Sequence, residues 1–195
     1  MKADKACIDV AAGRAPADLV VNVFSEEIIT ADVAVAGGVI AGVGSYRGRT
    51  ELDCTDKFLC PGFIDAHIHI ESSLAAPFEF ARAATRSGTT TIVDFGTQYA
   101  GESLADGLRN WHEKADGKCS CDYSFHMSIS DWNPSVSREL DDMMEEGITS
   151  FKLYMTYDTQ VDDRTIFEIL RRLKEVGGIT GVHCENSGMI AALQA

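Results

Sequence analysis

The sequence has no run of ~18 consecutive apolar residues, so it predicts no membrane-spanning helix. Its opening stretch, MKADKACIDVAAGRAPADLVV, lacks the apolar core of a secretory signal. Both absences point to the cytoplasm. Basic residues are scarce: 17 Lys and Arg stand against 30 Asp and Glu, a net charge of −13. No five basic residues run together. Phosphate backbones and anionic membranes repel such a surface, so neither nucleic acid nor membrane is an expected partner. The six cysteines (7, 54, 60, 119, 121 and 184) are scattered through a chain too large to need disulfides. Cys119 and Cys121 form a C-x-C with no second pair at zinc-finger spacing. There is no G-x-x-x-x-G-K-[ST], no G-x-G-x-x-G and no G-x-S-x-G, the signatures of a P-loop, a dinucleotide site and a serine-hydrolase elbow. The chain also lacks length: 195 residues cannot hold a complete (β/α)8 barrel, which takes roughly 250 residues, together with a further domain.

What is present divides in two. Residues 19–44, LVVNVFSEEIITADVAVAGGVIAGVG, alternate β-formers with polar residues, and Gly37-Gly38 marks a tight turn. Residues 1–59 therefore predict a small β-rich module of short antiparallel strands, extended by Phe58 to Cys60. From residue 60 the pattern becomes strand–helix alternation. Strands are expected at 63–70, 89–96, 121–130, 148–155 and 179–186. Helices are expected at 77–88, 101–117, from Asn133-Pro134 to Gly147, and at 162–176, with another beginning in SGMIAALQA. Ile166, Ile169, Leu170 and Leu173 define one apolar face of the 162–176 helix. The expected fold is α/β: a partial TIM-like barrel of about five strands over 60–195 behind the β-rich module. The last residues carry no Gly, Pro or basic cap, which reads as a chain cut rather than finished.

Three places carry chemistry. In Asp65-Ala66-His67-Ile68-His69, strand alternation puts Asp65, His67 and His69 on one face. Two imidazoles there can share a divalent metal, and in a barrel the C-terminal strand ends open onto the active site. Two exposed strand histidines would look the same. Lys152 sits in the strand TSFKLYM. A buried ammonium is costly, so such a lysine is paired, exposed or chemically altered. As a CO₂-derived carbamate it would be an anionic bridge between two metals, while an exposed edge lysine is the alternative. His183, in GVHCEN, is either a ligand or a hydrogen-bonded core histidine. Tyr157, just beyond the Lys152 strand, could donate to a developing oxyanion or lie on a surface loop. The set is more specific than its members, because it falls on strands one, four and five of one alternating pattern. His112 reads as solvated, His126 as core and Glu71 as a loop residue.

At PGFIDAHIHIESS the sequence resembles the amidohydrolase superfamily, whose members carry an H-x-H on the first barrel strand. From about Gly88 it is similar to the hydantoinase and dihydropyrimidinase family, through GTTTIVDFGTQYAGESLADGLRNWHEKADGK, CDYSFHMSISDWN, EEGITSFKLYMTY and VHCEN. The first 75 or so residues look more like an adenine deaminase of the same superfamily, which suggests a mosaic. The segment after His69 is shorter than the family's usual loop. The resemblance implies that His67 and His69 bind one metal and His183 a second, both zinc. It further implies a carboxylated Lys152 bridging the two, Tyr157 polarising the scissile carbonyl, and a composite-sandwich role for the β-rich module. It implies hydrolysis of a cyclic amide, a dihydropyrimidine or hydantoin, by a full-length homo-oligomer, tetrameric in the family. Two alternatives remain: an adenine deaminase-like aminohydrolase, and a dihydropyrimidinase-related scaffold protein without catalysis. A dihydroorotase would carry Arg where Glu71 stands. The family's other metal histidine and its aspartate lie on later strands, so the chain is expected to be an N-terminal fragment.

By this reading the 195-residue chain alone is inactive and self-associates, because five barrel strands leave open edges and uncovered apolar surface. Sedimentation and an amide-hydrolysis assay check it. A monodisperse, cooperative and catalytically competent chain contradicts it.

Overall fold

The structure is a computed structural model that describes residues 10–12, 19–70 and 78–195. The chain separates into two compact units, Met1–Pro61 and Gly62–Ala195.

Among the described residues the first unit carries seven short strands in two sheets: β1 (Val10–Ala12), β2 (Leu19–Asn22), β3 (Glu27–Thr30), β4 (Asp32–Ala36), β5 (Val39–Gly44), β6 (Thr50–Leu52) and β7 (Phe58–Leu59). One sheet runs β5-β4-β1-β6, the other β3-β2-β7. β2 with β3, β4 with β5 and β1 with β4 pair antiparallel as the alternation predicts, while β1 with β6 and β2 with β7 pair parallel. Gly37 and Gly38 turn β4 into β5 with φ of 59° and 79°, a two-residue hairpin conformation that L side chains resist. At the β2–β3 turn the Asn22 side chain accepts from the Phe24 and Ser25 amides at 3.1 and 3.4 Å.

The second unit is a curled half-barrel of five parallel strands: β8 (Phe63–Ile68), β9 (Thr89–Thr97), β10 (Asp122–Ser128), β11 (Ser150–Tyr154) and β12 (Ile179–His183), adjacent in chain order. A 3₁₀ turn (Phe78–Phe80) leads into α1 (Ala81–Arg86), and α2 (Leu104–Ala115), α3 (Pro134–Glu145), α4 (Asp163–Val176) and α5 (Ser187–Gln194) follow the later strands. The predicted 77–88 helix is thus shorter and begins as 3₁₀. Local chemistry sets the helix starts. The Ser103, Asn133, Asp162 and Asn186 side chains each accept from amides in the first turn, with Pro134 opening α3. Gly177, at φ 81°, closes α4 in the left-handed region.

One side of each strand is greasy and faces the helices. Ile92, Phe125, Met127, Phe151 and Leu153 join Leu104, Leu108, Trp111, Leu140, Met143, Ile169 and Leu173 in one buried cluster. Leu170, expected on the apolar face of α4, is instead 40% exposed, and Ile166, Ile169 and Leu173 suffice for the contact. Gly107 lets α2 approach β9: a Cβ there would lie 3.2 Å from both Gln98 Cα and the Thr97 carbonyl oxygen.

Two substitutions separate capping from packing. Asn133→Ala should lower stability by about 1 kcal/mol, and Leu140→Ala by about 2–5 kcal/mol. Urea midpoints at unchanged slope measure both, and equal costs would contradict the assignment of Asn133 to the cap alone.

Candidate metal centre

Strand register decides which side chains meet on the inner face. Paired residues of parallel neighbours share a face, and the pairs Phe95–His126, Ser128–Lys152 and Tyr154–His183 put those six together. The register of β8 on β9 shifts twice, first between Phe63 and Ile64 and again between Asp65 and Ile68. Asp65 pairs with Ile92 but Ile68 pairs with Asp94, so three steps of β8 oppose two of β9. This bulge returns Ile68 and Ile70 to the apolar cluster. It turns His67 and His69 to the side of Phe95. Their rings lie 4.8 and 4.2 Å from its ring, His69 stacked at 11°. Simple alternation therefore fails for Asp65, which the bulge sets out of phase with the two histidines. Its carboxylate accepts the His67 amide at 3.1 Å. The strand also ends at Ile68, one residue before His69.

The rings of His67 and His69 are 5.2 Å apart, centre to centre. Lys152 is 8% exposed, with Nζ 5.3 Å from the centres of both the Phe95 and Tyr154 rings. Tyr154 lies 5.9 Å from His183, and Tyr157 lies 5.3 Å from His183 and 6.0 Å from Tyr154. The five residues singled out from the sequence thus lie along one continuous series of ring and cation contacts, with Phe95 and Tyr154 as the links. Tyr157 is 58% exposed and holds φ at 69°, a left-handed conformation uncommon outside glycine. His183 Nε2 is buried and comes within 3.0 Å of the Glu185 carboxylate without hydrogen-bond geometry.

The electrostatics follow from burial and crowded positive charge. Burial, then the charges of His67, Lys152 and His183, lowers the His69 pKa. Burial also lowers the Lys152 pKa, against a smaller opposing pull from Cys184. Tyr154 is pushed up by burial and then by Tyr157 and Asp94, with a Ser128 hydrogen bond opposing. No carboxylate forms an ion pair with Lys152 among the described residues. Nor do three His, Cys, Asp or Glu side chains among them converge on a metal position. The donor chemistry, imidazoles at the end of β8 and on β12 beside a buried amine, is of the kind that divalent ions such as zinc take.

Several supporting residues had no sequence signal of their own. Asp94 is 1% exposed, and its Oδ1 accepts the Ile70 amide at 3.3 Å and the Phe95 amide at 2.8 Å. An acid inside the apolar run TTTIVDFG was the available clue. Gln98, fully buried, accepts from the Ser130 and Asp131 amides at 3.2 and 3.3 Å and donates to the Glu102 carbonyl at 2.8 Å. It joins the loops that follow β9 and β10. Elsewhere, His112 is partly exposed with Nδ1 3.1 Å from the Tyr123 hydroxyl. Cys119 and Cys121 are free thiols 3.8 Å apart, and burial, then Cys119, pushes Cys121 up to about 11. Glu71 lies outside the described residues.

Known proteins match this arrangement. The sequence profile of the amidohydrolase family aligns with residues 58–195. A D-hydantoinase of Streptomyces coelicolor is 39% identical over 187 residues, covering 88% of this chain and 40% of its own length. The solved structure of D-hydantoinase from Bacillus sp. AR9 has a TM-score of 0.85 at 36% identity, over 95% of this chain and 41% of that one. An adenine deaminase of Clostridium acetobutylicum is 48% identical over 95 residues, 49% of this chain and 17% of its own. This chain therefore spans well under half of the length of each of these relatives.

Because the buried Lys152 amine has no carboxylate partner among the described residues, replacing it with an apolar side chain of similar length should not destabilise the metal-free chain. Lys152→Met is expected to be neutral or to stabilise by about 1 kcal/mol. A fall in the urea midpoint equivalent to more than about 1 kcal/mol would show that the ammonium is favourably held.

Proposed function

The chain belongs to the amidohydrolase family, and from that premise we propose that it carries part of the active site of a metal-dependent cyclic amidohydrolase, one that opens a dihydropyrimidine or hydantoin ring at its C–N bond. The observation that carries this reading is that His67 on β8, His69 just beyond it, Lys152 on β11 and His183 on β12 lie along one face of the sheet, linked through the Phe95 and Tyr154 rings. The hydantoinase relatives support the choice of substrate class. In this reading the protein is a cytoplasmic enzyme acting on small molecules.

His67 and His69 would hold one divalent ion, zinc by preference for imidazole nitrogen, and His183 the second. Lys152 would bridge them as a carbamate, formed when the neutral Nζ adds to the carbon of CO₂ and releases a proton. Burial favours the neutral amine that this addition requires. When bound, the two ions supply Lewis acidity, which acidifies water and polarises the ring carbonyl. Tyr157 lies beside His183, and its phenol O–H would donate to the carbonyl oxygen as that oxygen gains negative charge. Its left-handed backbone points to a pose set by its surroundings rather than by local preference. Phe95, stacked on His69, limits water access beneath the histidine pair. The remaining ligands and the proton shuttle to the leaving nitrogen would come from barrel strands outside this sequence.

A second reading, a purine aminohydrolase, is favoured by the 48% identity to an adenine deaminase. Both readings use the same histidine pair.

The test uses the full-length protein purified with zinc and bicarbonate. It should hold about two metals per chain, show a carbamate resonance after ¹³C-bicarbonate labelling, and hydrolyse dihydrouracil or hydantoin. Lys152→Ala should lose the resonance, the second metal and the activity. Ammonia release from adenine without ring opening would favour the second reading. Absence of metal, with activity intact in Lys152→Ala, would overturn both.

A further inference from the structure

The register of β8 shifts between Phe63 and Ile64, which puts Ile64 and Asp65 out of phase, and the bulge between Asp65 and Ile68 is what returns His67 to the inner face. If the register set by Asp65 opposite Ile92 continued without it, His67 would fall opposite Asp94, on the helix side, and Ile68 would face inward. A bulge is locally unpaired backbone and needs something to hold it. The residue that reaches it is His126, on β10 two strands away. His126 Nε2 lies 2.8 Å from the Ala66 carbonyl oxygen, inside the bulge. A carbonyl only accepts, so Nε2 carries the proton. On the other side of the ring, Nδ1 lies 2.6 Å from Ser150 Oγ on β11, and in the neutral ring it accepts the hydroxyl proton. The same ring sits 5.0 Å from Phe95, the platform for His69.

We propose that His126 is a positioning residue that clamps the β8 bulge, with Ser150 fixing its tautomer, and so sets the placement of the His67–His69 pair. It is not a ligand, because both ring nitrogens are already engaged. It acts through the backbone of Ala66, and Ser150 on β11 braces it from the opposite side. The link ties β8 to β10 and β11, bypassing β9. The consequence for metal retention rests on the function proposed above; the clamp itself does not.

Three variants of the full-length protein test it. His126→Phe keeps an aromatic ring beside Phe95 but removes both hydrogen bonds. His126→Gln keeps a donor and an acceptor at similar separation. Ser150→Ala removes only the brace. In metal-free protein, deuterium exchange of the amides of 66–70 should quicken about tenfold in His126→Phe, the scale of one lost buried hydrogen bond. It should quicken less in Ser150→Ala and return towards wild type in His126→Gln, while α2 to α4 stay unchanged. After cobalt loading, His126→Phe should give up the ion to a chelator about tenfold faster and shift the visible cobalt spectrum, with His126→Gln again restoring both. Unchanged exchange at 66–70, a uniform rise across the whole protein, or failure of glutamine to restore it would overturn the clamp. If His126→Phe does not fold, the 66–70 exchange of Ser150→Ala decides. Should the protein take up no cobalt at all, the proposed function falls and the exchange arm still judges the clamp.

Discussion

A strand can present side chains to only two faces, and in this sheet the two faces make opposite demands. The helix side holds Ile, Leu, Met and Phe, interrupted at Asp94, whose carboxylate accepts the Ile70 and Phe95 amides. The inner side holds His, Ser, Lys and Tyr, groups that cannot be placed among those side chains without a hydrogen-bond or charge partner. A slip of one residue in any strand would exchange the two sets, putting Lys152 among the Leu and Met side chains of the helix layer and Phe151 on the open side. Register is therefore enforced from both faces at once. Both deviations in this sheet lie in β8, and the second sits where the polar set begins.

The polar face is ordered by aromatic rings more than by ion pairs. Phe95 lies against two histidines and beneath the Lys152 amine, and Tyr154 passes the sequence of contacts on to His183. Rings suit this position because they fill space, tolerate a cation over the face and need few hydrogen bonds. Burial lowers the pKa of both His69 and Lys152, and for His69 the charges of His67, Lys152 and His183 add to it.

Much of this was legible in the sequence, and the reasons differ by residue. The alternation of helix and strand follows from local periodicity, and the capping residues Asn133, Asp162 and Asn186 stand where their chemistry requires them. His67 and His69 are two apart, and Lys152 interrupts an apolar strand, so each announces itself within a few positions. Asp65 misled because a bulge leaves no mark in residue type: Ala66 is an ordinary strand residue, and the extra step exists only relative to β9. Asp94 and Gln98 were silent for a related reason. Their partners are 24 residues away for Asp94 and more than 30 away for the Gln98 contacts with Ser130 and Asp131, and no local pattern encodes a meeting at that distance. Leu170 shows the converse: a helix of this pitch offers more apolar positions than the sheet beneath it can cover.

Gln98 has one more implication. Its single buried amide holds the loops after β9 and β10 by their backbones, so neither loop is a free variable. An insertion in one would have to preserve the spacing of the Ser130 and Asp131 amides in the other, or surrender both bonds at once. Variation in substrate preference by loop exchange, the usual route in barrels, is thus coupled across this pair. The two loops form one heritable unit, and new specificities would be expected to arise by changes at their tips or in other loops.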